Sequence, residues 1–314
     1  MQSLKHVKMK TTISILIILL CCCTPVAACD ICGCGGGSSY IGILPEFNKK
    51  TIGLRYRFNS LRTHIGAGGQ SSYLTTDERF HITELWGGWN ISKRFRVMGT
   101  LPYNFVAKKS QQATLSKSGP GDIAAQAFYE LINDRRTVGS KLMINSLWVG
   151  GGVKLPTGTY EPSAKDPTSP SANLFQLGTG SFDFTANAMY DLRVQDAGIN
   201  TVISYRANTN NRDNYRYGDK FSVALQVYHK FRVLKTITVA PNAGVLYDVA
   251  QKDLDDRYVA DISGGKVLMA TAGLEARLNR LSIGSSVQHP VSQRLAAGSV
   301  EAGGRAMVHV SFIL

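Results

Sequence analysis

The chain has 314 residues, a formal net charge of +13 and 31 glycines, and only 18% of its residues are charged. Apart from one apolar stretch near the start, no stretch comes close to the ~20 apolar residues that a membrane-spanning helix needs. The composition and the hydropathy pattern therefore exclude helical membrane spans in the body of the chain.

The first 28 residues have the layout of a secretory signal peptide. Three lysines precede the apolar run TTISILIILLCCC at residues 11–23, and small residues fill positions 26–28, as at a signal cleavage site. Residues 26–29, VAAC, also resemble the lipobox of bacterial lipoproteins, in which the cysteine is acylated and becomes the new N-terminus. Both interpretations predict a mature chain that starts at Cys29 and has a formal charge of +10, from 32 basic and 22 acidic residues.

Residues 29–50 form a Cys- and Gly-rich N-terminal segment that begins CDICGCGGG. Thiols outside the cytoplasm tend to oxidise, so a disulfide is one prediction for this segment. Acylation of Cys29 is a second. The third is a soft-metal site in which Cys29, Cys32 and Cys34 bind Cu(I), because two or three thiolates fall short of the four protein ligands of a structural zinc site. The sequence leaves these three chemistries open, and we expect no other cofactor.

From residue 51 onwards, apolar and polar residues alternate with a period of two. In TIGLRYRF at 51–58 the even-numbered residues are apolar, and FDFTANAMYDL at 182–192 repeats the pattern. Such alternation predicts strands whose two faces meet different surroundings. Twelve strands are predicted in this way, at residues 51–58, 80–91, 95–103, 123–131, 147–155, 182–192, 199–206, 221–231, 237–248, 268–278, 281–291 and 306–314.

The links between the predicted strands alternate between long and short. Long polar links follow the odd-numbered strands, at 59–79, 104–122, 156–181, 207–220, 249–267 and 292–305. This alternation over an even strand count is typical of a Gram-negative outer-membrane barrel, with short periplasmic turns and long outer loops. We therefore predict an all-β fold, a single closed antiparallel transmembrane β-barrel over residues 51–314 with both chain ends in the periplasm. The apolar face of the last strand is of the kind that the barrel-assembly machinery reads.

A soluble secreted β-sandwich would also show alternating strands. In a sandwich the apolar face forms the core and should carry large residues throughout. Here the apolar faces include many alanines, and the opposite faces carry charged residues. A closed barrel also leaves no strand edge unpaired. A bilayer requires this, because lipid offers no hydrogen-bond partners to backbone groups. These points favour the barrel.

Eight charged residues fall on the predicted inner faces: Arg55, Arg57, Lys154, Asp183, Asp191, Arg206, Glu275 and Arg277. They could form a basic constriction that favours anionic solutes, since charged rings select ions by sign. They could equally pair across the barrel and hold it rigid. A twelve-stranded barrel is narrower than a 16-stranded porin, so we expect a narrow or plugged pore. The segment at 29–50 is predicted to tuck into the periplasmic mouth as a plug.

The aromatic residues and the excess basic charge have less specific interpretations. Barrels carry aromatic girdles at both membrane interfaces, so the tryptophans and tyrosines are expected in such belts or in lumen packing. The basic charge is expected to face lipopolysaccharide phosphates or other acidic groups outside the cell. Membrane lipid and lipopolysaccharide are therefore the predicted partners, together with an unidentified small solute, and no nucleic-acid role is expected.

Three motifs carry a resemblance to a known family. They are GPGDIAAQAFYEL at 119–131, GGGVKLPTGTY at 150–160 and LGTGSFDFTANAMYDL at 177–192. In this order they look like the outer-membrane barrel family labelled "meta-pathway of phenol degradation", which is related to barrels that carry hydrophobic compounds. The resemblance implies passive transport of small aromatic or apolar molecules. The N-terminal cysteine cluster departs from that family's pattern.

Transport is therefore the predicted function, with two alternatives. One is a structural or adhesive barrel without transport, and the other is a copper-handling barrel that uses the N-terminal cysteines. An enzyme is not expected, because no serine lies in a G-x-S-x-G setting. His81, His289 and His309 lie on predicted strands and serines are common, but a catalytic triad depends on geometry that sequence spacing does not show.

Overall fold

The computed structural model describes residues 49–66, 69–162, 173–233 and 236–314. In chain order its strands are β1 (Thr51–Thr63), β2 (Thr76–Asn90), β3 (Phe95–Lys109), β4 (Thr114–Pro120), β5 (Ala124–Val138), β6 (Lys141–Lys154), β7 (Asp183–Val194), β8 (Ala197–Asn208), β9 (Tyr215–Arg216), β10 (Lys220–His229), β11 (Phe231–Arg232), β12 (Ile237–Ala250), β13 (Leu254–Asp255), β14 (Tyr258–Val259), β15 (Gly265–Leu278), β16 (Leu281–Leu295) and β17 (Val300–Ile313). A 3-10 turn, Ala296–Gly298, lies between the last two strands. Across these four ranges no helix is long and apolar enough to cross a membrane.

Within the described residues, the twelve long strands close into one antiparallel barrel. Their order around the wall is β1, β2, β3, β5, β6, β7, β8, β10, β12, β15, β16 and β17. The wall closes where β17 pairs with β1, with Ile313 opposite Thr51. A closed wall pairs the strand edges, which a bilayer requires because it offers no water to backbone groups. The predicted twelve-stranded antiparallel barrel is confirmed.

Parts of the predicted long links are strands. β4 pairs antiparallel with the second half of β3, from Lys109 opposite Thr114 to Tyr103 opposite Pro120. The prediction of a long link at 292–305 is wrong, because β16 and β17 continue to a tight turn at Ala296–Gly298. Pro290 and the pair of glycines at 303 and 304 weaken the strand signal there, since proline and glycine are depleted inside strands.

The loops after β6, β8 and β12 lie at one end of the barrel, which we call the long-loop end. Two of them contribute a small antiparallel sheet of β9, β13 and β14. The opposite, short-turn end has turns such as residues 139–140 and 279–280. In outer-membrane barrels long loops face outside the cell and short turns face the periplasm. The long-loop end is therefore the outer end.

The apolar side chains of the wall strands lie on the outer surface of the barrel. Leu54 is 56% exposed, whereas its neighbour Arg55 is 4% exposed and points inwards. The same inversion repeats around the wall, at Ile52, Tyr56, Leu85, Trp89, Leu101, Tyr103, Phe105, Tyr129, Leu131, Phe184, Ile203, Leu225, Val245, Leu274, Ile283, Val308, Val310 and Phe312. An exposed apolar surface of this extent is stable in lipid and not in water. The soluble sandwich is therefore ruled out by the fold.

The inside of the barrel also contains two apolar clusters. The first, which we call the mouth cluster, lies at the long-loop end and comprises Leu61, Phe80, Val106, Leu174, Leu177, Val267, Met269, Leu295, Ala296, Val300 and Ala302. The second, the aromatic wall, spans five consecutive strands from β2 to β7 in the wall order and comprises Trp86, Met98, Phe128, Trp148 and Met189. Charged and amide side chains fill the interior between them.

Candidate pore interior

A buried ion-pair triad forms where β1 and β2 run side by side. Arg55 Nε donates to Glu84 Oε2 over 2.6 Å, and Arg57 Nη2 donates to Glu84 Oε1 over 2.5 Å. The Glu84 side chain is only 1% exposed. Two guanidinium groups thus share one carboxylate, so the triad keeps a net positive charge inside the barrel.

A row of titratable side chains continues from this triad along the wall. Glu275, Gly284, His309 and Arg55 occupy adjacent register positions on β15, β16, β17 and β1. Gly284 leaves the room for its neighbours, because a Cβ there would lie 2.3 Å from His309 Nε2 and 2.9 Å from Glu275 Cγ. The absence of a side chain at this one position lets the carboxylate and the imidazole extend into the interior.

Arg206 on β8 belongs to the same region from the other wall. It is 6% exposed and lies close enough to Arg57 for the two positive charges to interact. Its Nε has no hydrogen-bond partner among the described residues. The structure therefore brings four of the predicted residues, Arg55, Arg57, Arg206 and Glu275, into one charged layer.

Lys154 and Asp183 form a separate node at the long-loop end. Lys154 Nζ lies 2.7 Å from Asp122 Oδ2 and 2.6 Å from Asp183 Oδ2, and it also contacts the Thr179 hydroxyl. The lysine and both carboxylates are almost fully buried. One cation is shared by two carboxylates here, so this node carries the opposite net charge to the Glu84 triad.

The three sequence motifs meet at this node. GPGD supplies Asp122, whose Oδ1 accepts a hydrogen bond of 2.9 Å from the backbone N–H of Gly158 in the LPTG motif. Its Oδ2 accepts one of 2.9 Å from the N–H of Thr179 in the LGTG motif. A Cβ at Gly178 would lie 2.5 Å from Asp122 Oδ1, so that close approach needs glycine. The motifs thus fasten the loop between β6 and β7 to the wall.

The fastened loop reaches into the mouth of the barrel. Leu174 and Leu177 pack in the mouth cluster, and Asn104 Nδ2 on β3 donates to the Leu177 carbonyl over 2.6 Å. Around them, Asn173 donates to the Tyr160 hydroxyl over 3.0 Å, and burial raises the pKa of that phenol. Tyr160 therefore stays a neutral hydrogen-bond partner. The described loop residues narrow the outer mouth.

Asp191 and Arg277 do not join either charged group. Asp191 Oδ1 accepts a hydrogen bond of 3.0 Å from the Tyr228 hydroxyl on β10. Arg277 lies at the short-turn end, where its Nε donates to the carbonyl of Asn279 over 3.0 Å. These contacts suit structural roles near the periplasmic turns.

Several interior charges were missed in the sequence. Glu84 lies in the stretch 80–91, where the glycines at 87 and 88 disturb the alternation. Asp122 falls in the predicted link at 104–122, although the residue is only 4% exposed. Asp248 Oδ2 pairs with Arg305 Nη1 at 3.0 Å, and Arg305 was placed in the predicted link at 292–305. The available signal was the strict alternation of inward- and outward-facing residues. Counted from Leu281 to Val291 and backwards from Ala306, it would have shown which side chains point into the barrel.

The predictions for the N-terminal segment lie outside the described residues. Cys29, Cys32 and Cys34, with the plug predicted at 29–50 except for its last two positions, fall in this part of the chain. In the ranges that the structure describes, no three His, Cys, Asp or Glu side chains are grouped so as to hold a metal ion.

Comparisons with known proteins agree with the fold. The family model described as "Putative MetA-pathway of phenol degradation" matches residues 57–280. No curated protein matches the sequence. An outer membrane channel from Pseudomonas putida F1 superposes with a TM-score of 0.59 at 14% identity, over 85% of this chain and 96% of that one. The β domain of a Bordetella autotransporter, BrkA, gives a TM-score of 0.44 at 10% identity, over 85% and 100% of the two chains. The family match covers well over half of the sequence, and the chain belongs to this family of outer-membrane barrels.

Proposed function

We propose that the protein is a passive outer-membrane channel for small apolar or aromatic molecules. The observation that carries this proposal is the aromatic wall, a patch of two tryptophans, a phenylalanine and two methionines on the inner face of the barrel. Barrels that pass polar solutes have polar interiors. Aromatic and methionine side chains instead make dispersion and ring contacts with an apolar ligand. The proposal is transport without catalysis.

The position of the two apolar clusters supports the same function. A solute entering at the long-loop end meets the mouth cluster first, and the aromatic wall lies on the other side of the charged layer. Within that layer Glu84 neutralises one of two guanidinium groups, which lowers the barrier that fixed charges present to an uncharged molecule. An apolar path with a narrow polar crossing suits small uncharged solutes.

The test measures selectivity rather than total flux. Cells with a lipopolysaccharide-containing outer membrane would express the natural chain, Trp148→Ala or Trp89→Ala, and take up an aromatic naphthylamine dye or a saturated alkyl probe. Trp148 lies in the aromatic wall, whereas Trp89 is 51% exposed on the outside and serves as the matched control. Losing one ring contact of about 0.5–1.5 kcal/mol should lower the aromatic-to-alkyl uptake ratio about two- to tenfold. An unchanged ratio in Trp148→Ala would refute the proposal.

The charged layer is proposed to make the residual ion permeation anion-selective. Arg55, Arg57 and Arg206 outnumber the two carboxylates of that layer, Glu84 and Glu275, and rings of fixed charge select ions by sign. Reversal potentials in a salt gradient measure this selectivity directly. Cation preference would contradict the proposed role of the three arginines.

The N-terminal segment is proposed to narrow the periplasmic mouth. Deleting residues 30–47 should raise the single-channel conductance, and no increase would count against a plug. The chemistry of its cysteines is separate from transport. The intact mass of the mature protein distinguishes acylation of Cys29, a disulfide with its loss of two protons, and retention of Cu(I) by Cys32 and Cys34.

A further inference from the structure

The positive charge of the barrel is concentrated at its short-turn end. The five short turns with their adjoining strand ends, and the start of β1, form what we call the basic rim, at residues 49–50, 91–94, 133–141, 191–197, 229–233 and 277–280. The basic rim holds twelve lysines and arginines and three aspartates, whereas the rest of the described chain holds 18 basic and 16 acidic residues. The excess charge therefore lies at the end that faces the periplasm, and the rest of the barrel is close to neutral.

The cations of the basic rim are accessible from outside. Nine of the twelve are exposed and the other three are half-buried. Asp134 Oδ2 pairs with Arg136 Nε at 2.5 Å, and Asp196 Oδ1 pairs with Arg232 Nη2 at 3.5 Å. Even with these pairs, twelve cations and three carboxylates leave the rim a formal net charge of +9. A surface of this kind attracts an external anion.

Every short turn of the basic rim also presents an apolar side chain to the outside. Within two residues of a rim cation in the sequence, each turn has a side chain that is 39–64% exposed: Ile91, Val138, Val194, Phe231 or Leu278. A long basic side chain can place its carbon stem against lipid chains and its charge among the headgroups. The combination of apolar and basic side chains is therefore suited to a membrane interface.

Lys50 and Trp89 mark the level of that interface. Trp89 is 51% exposed on the outer face of β2, and Lys50 Nζ lies 4.1 Å from the centroid of its ring. Aromatic girdles of outer-membrane barrels lie where hydrocarbon meets headgroups. The turn that carries Lys93 and Arg94 begins two residues after Trp89, where β2 ends. These cations therefore lie at the level of the headgroups of the inner leaflet.

We propose that the basic rim binds the phosphate groups of anionic phospholipids in the inner leaflet of the outer membrane. The cations occur in all five short turns and at the start of β1, so they surround the barrel as a shell of lipid does. A soluble protein docked on this end would need them on one side. A basic residue near an anionic lipid surface raises the affinity about fivefold. This inference is independent of the proposed transport.

The chain contains its own probe for this contact. Of its three tryptophans, all of which the structure describes, only Trp89 faces lipid, because Trp86 and Trp148 are 2% and 4% exposed inside the barrel. The full chain would be reconstituted in phosphatidylcholine vesicles that contain either phosphatidylglycerol or phosphatidylcholine with brominated acyl chains, which quench tryptophan fluorescence on contact. We expect the anionic lipid to be preferred at Trp89 about three- to tenfold.

Two changes should remove most of this preference. The first is Lys93→Gln combined with Arg94→Gln, which takes two charges from the turn beside Trp89. Its matched control is Arg79→Gln combined with Lys109→Gln, because these exposed residues lie on β2 and β3 at the opposite end, and the preference should persist there. The second change is 1 M NaCl with the natural chain, where the Debye length falls to about 3 Å. That measurement does not depend on the folding of any variant.

The outcomes are distinct. Equal quenching of the natural chain by the two lipids overturns the proposal, and so does a preference that is unchanged by the loss of Lys93 and Arg94 or by 1 M NaCl. If equal quenching were accompanied by cosedimentation of the chain with purified peptidoglycan, the basic rim would bind the cell wall instead of lipid. Dye uptake is a separate measurement, so a failure of the transport proposal leaves the lipid result unaffected.

Discussion

Replacing Glu84 by glutamine should destabilise the barrel strongly. The carboxylate is almost fully buried and accepts hydrogen bonds from both Arg55 Nε and Arg57 Nη2. Glu84→Gln keeps the size of the side chain but takes the shared carboxylate away from two buried guanidinium groups, in a layer that already contains Arg206. Breaking a buried ion pair in this way costs about 3–5 kcal/mol, because the remaining charge stays buried and uncompensated.

The measurement is the free energy of unfolding in detergent or lipid, from urea titrations that follow the mobility shift of the folded barrel on gels. A loss of about 3–5 kcal/mol corresponds to roughly a 150- to 5,000-fold change in the folding equilibrium. Asp77→Asn is the matched control, since Asp77 pairs with Arg62 at 3.4 Å with both side chains about half exposed. A pair of that kind contributes about 0–1 kcal/mol.

A second substitution separates charge from packing. If the cost comes from buried positive charge that has lost its carboxylate, adding Arg57→Met to Glu84→Gln should recover a large part of the lost stability, because that charge is then removed. If the cost came from lost shape complementarity, the double variant would be less stable than the single one. An unfolding free energy of Glu84→Gln within about 1 kcal/mol of the natural chain would refute the reasoning altogether.

Two further predictions concern the outer mouth. Lys154→Met leaves the buried carboxylates of Asp122 and Asp183 without their cation, so it should cost about 3–5 kcal/mol of unfolding free energy. It should also raise the single-channel conductance, because the loop loosens. Lys141→Met, at the exposed short-turn end, is the control and should change neither quantity. Leu177→Asn puts an amide in the mouth cluster and should cost about 2–4 kcal/mol and also raise the conductance; an unchanged conductance in both variants would show that the loop does not narrow the pore.

The sequence predicts the barrel well because lipid imposes a strict pattern on it. The outer face of the barrel meets hydrocarbon and the inner face carries polar groups, so successive residues of a strand must alternate between apolar and polar. Leu54 and Arg55 therefore show which way they point without any knowledge of the neighbouring strands. The pattern fails where the wall itself is irregular. Around Pro290 and Gly303 the pairing between β16 and β17 is interrupted, and the residues that interrupt it also obscure the ends of these two strands in the sequence.

The interior could be predicted only in part, for a geometric reason. Alternation tells which side chains point inwards, and it correctly turned Arg55, Lys154 and Asp183 to the inside. It does not tell which strands face each other across the lumen or where a loop folds back. The partnership of Lys154 with Asp122 depends on such a loop, and residues 122 and 154 are brought together by the register of β5 on β6.

The meeting of the three family motifs at Lys154 bears on what the family resemblance can mean for substrate choice. Asp122 accepts hydrogen bonds from the backbone N–H groups of Gly158 and Thr179 and pairs with the lysine, so the motifs carry the attachment of the outer loop to the wall. The aromatic wall takes Phe128 and Met189 from those motifs, but Trp86, Met98 and Trp148 from outside them. A likeness in the motifs therefore indicates a shared mouth and specifies only part of the aromatic wall. Lys154→Met should change conductance while leaving the aromatic-to-alkyl uptake ratio intact, and Trp148→Ala should do the reverse. If Lys154→Met altered that ratio as much as Trp148→Ala does, mouth and selectivity would not be separable.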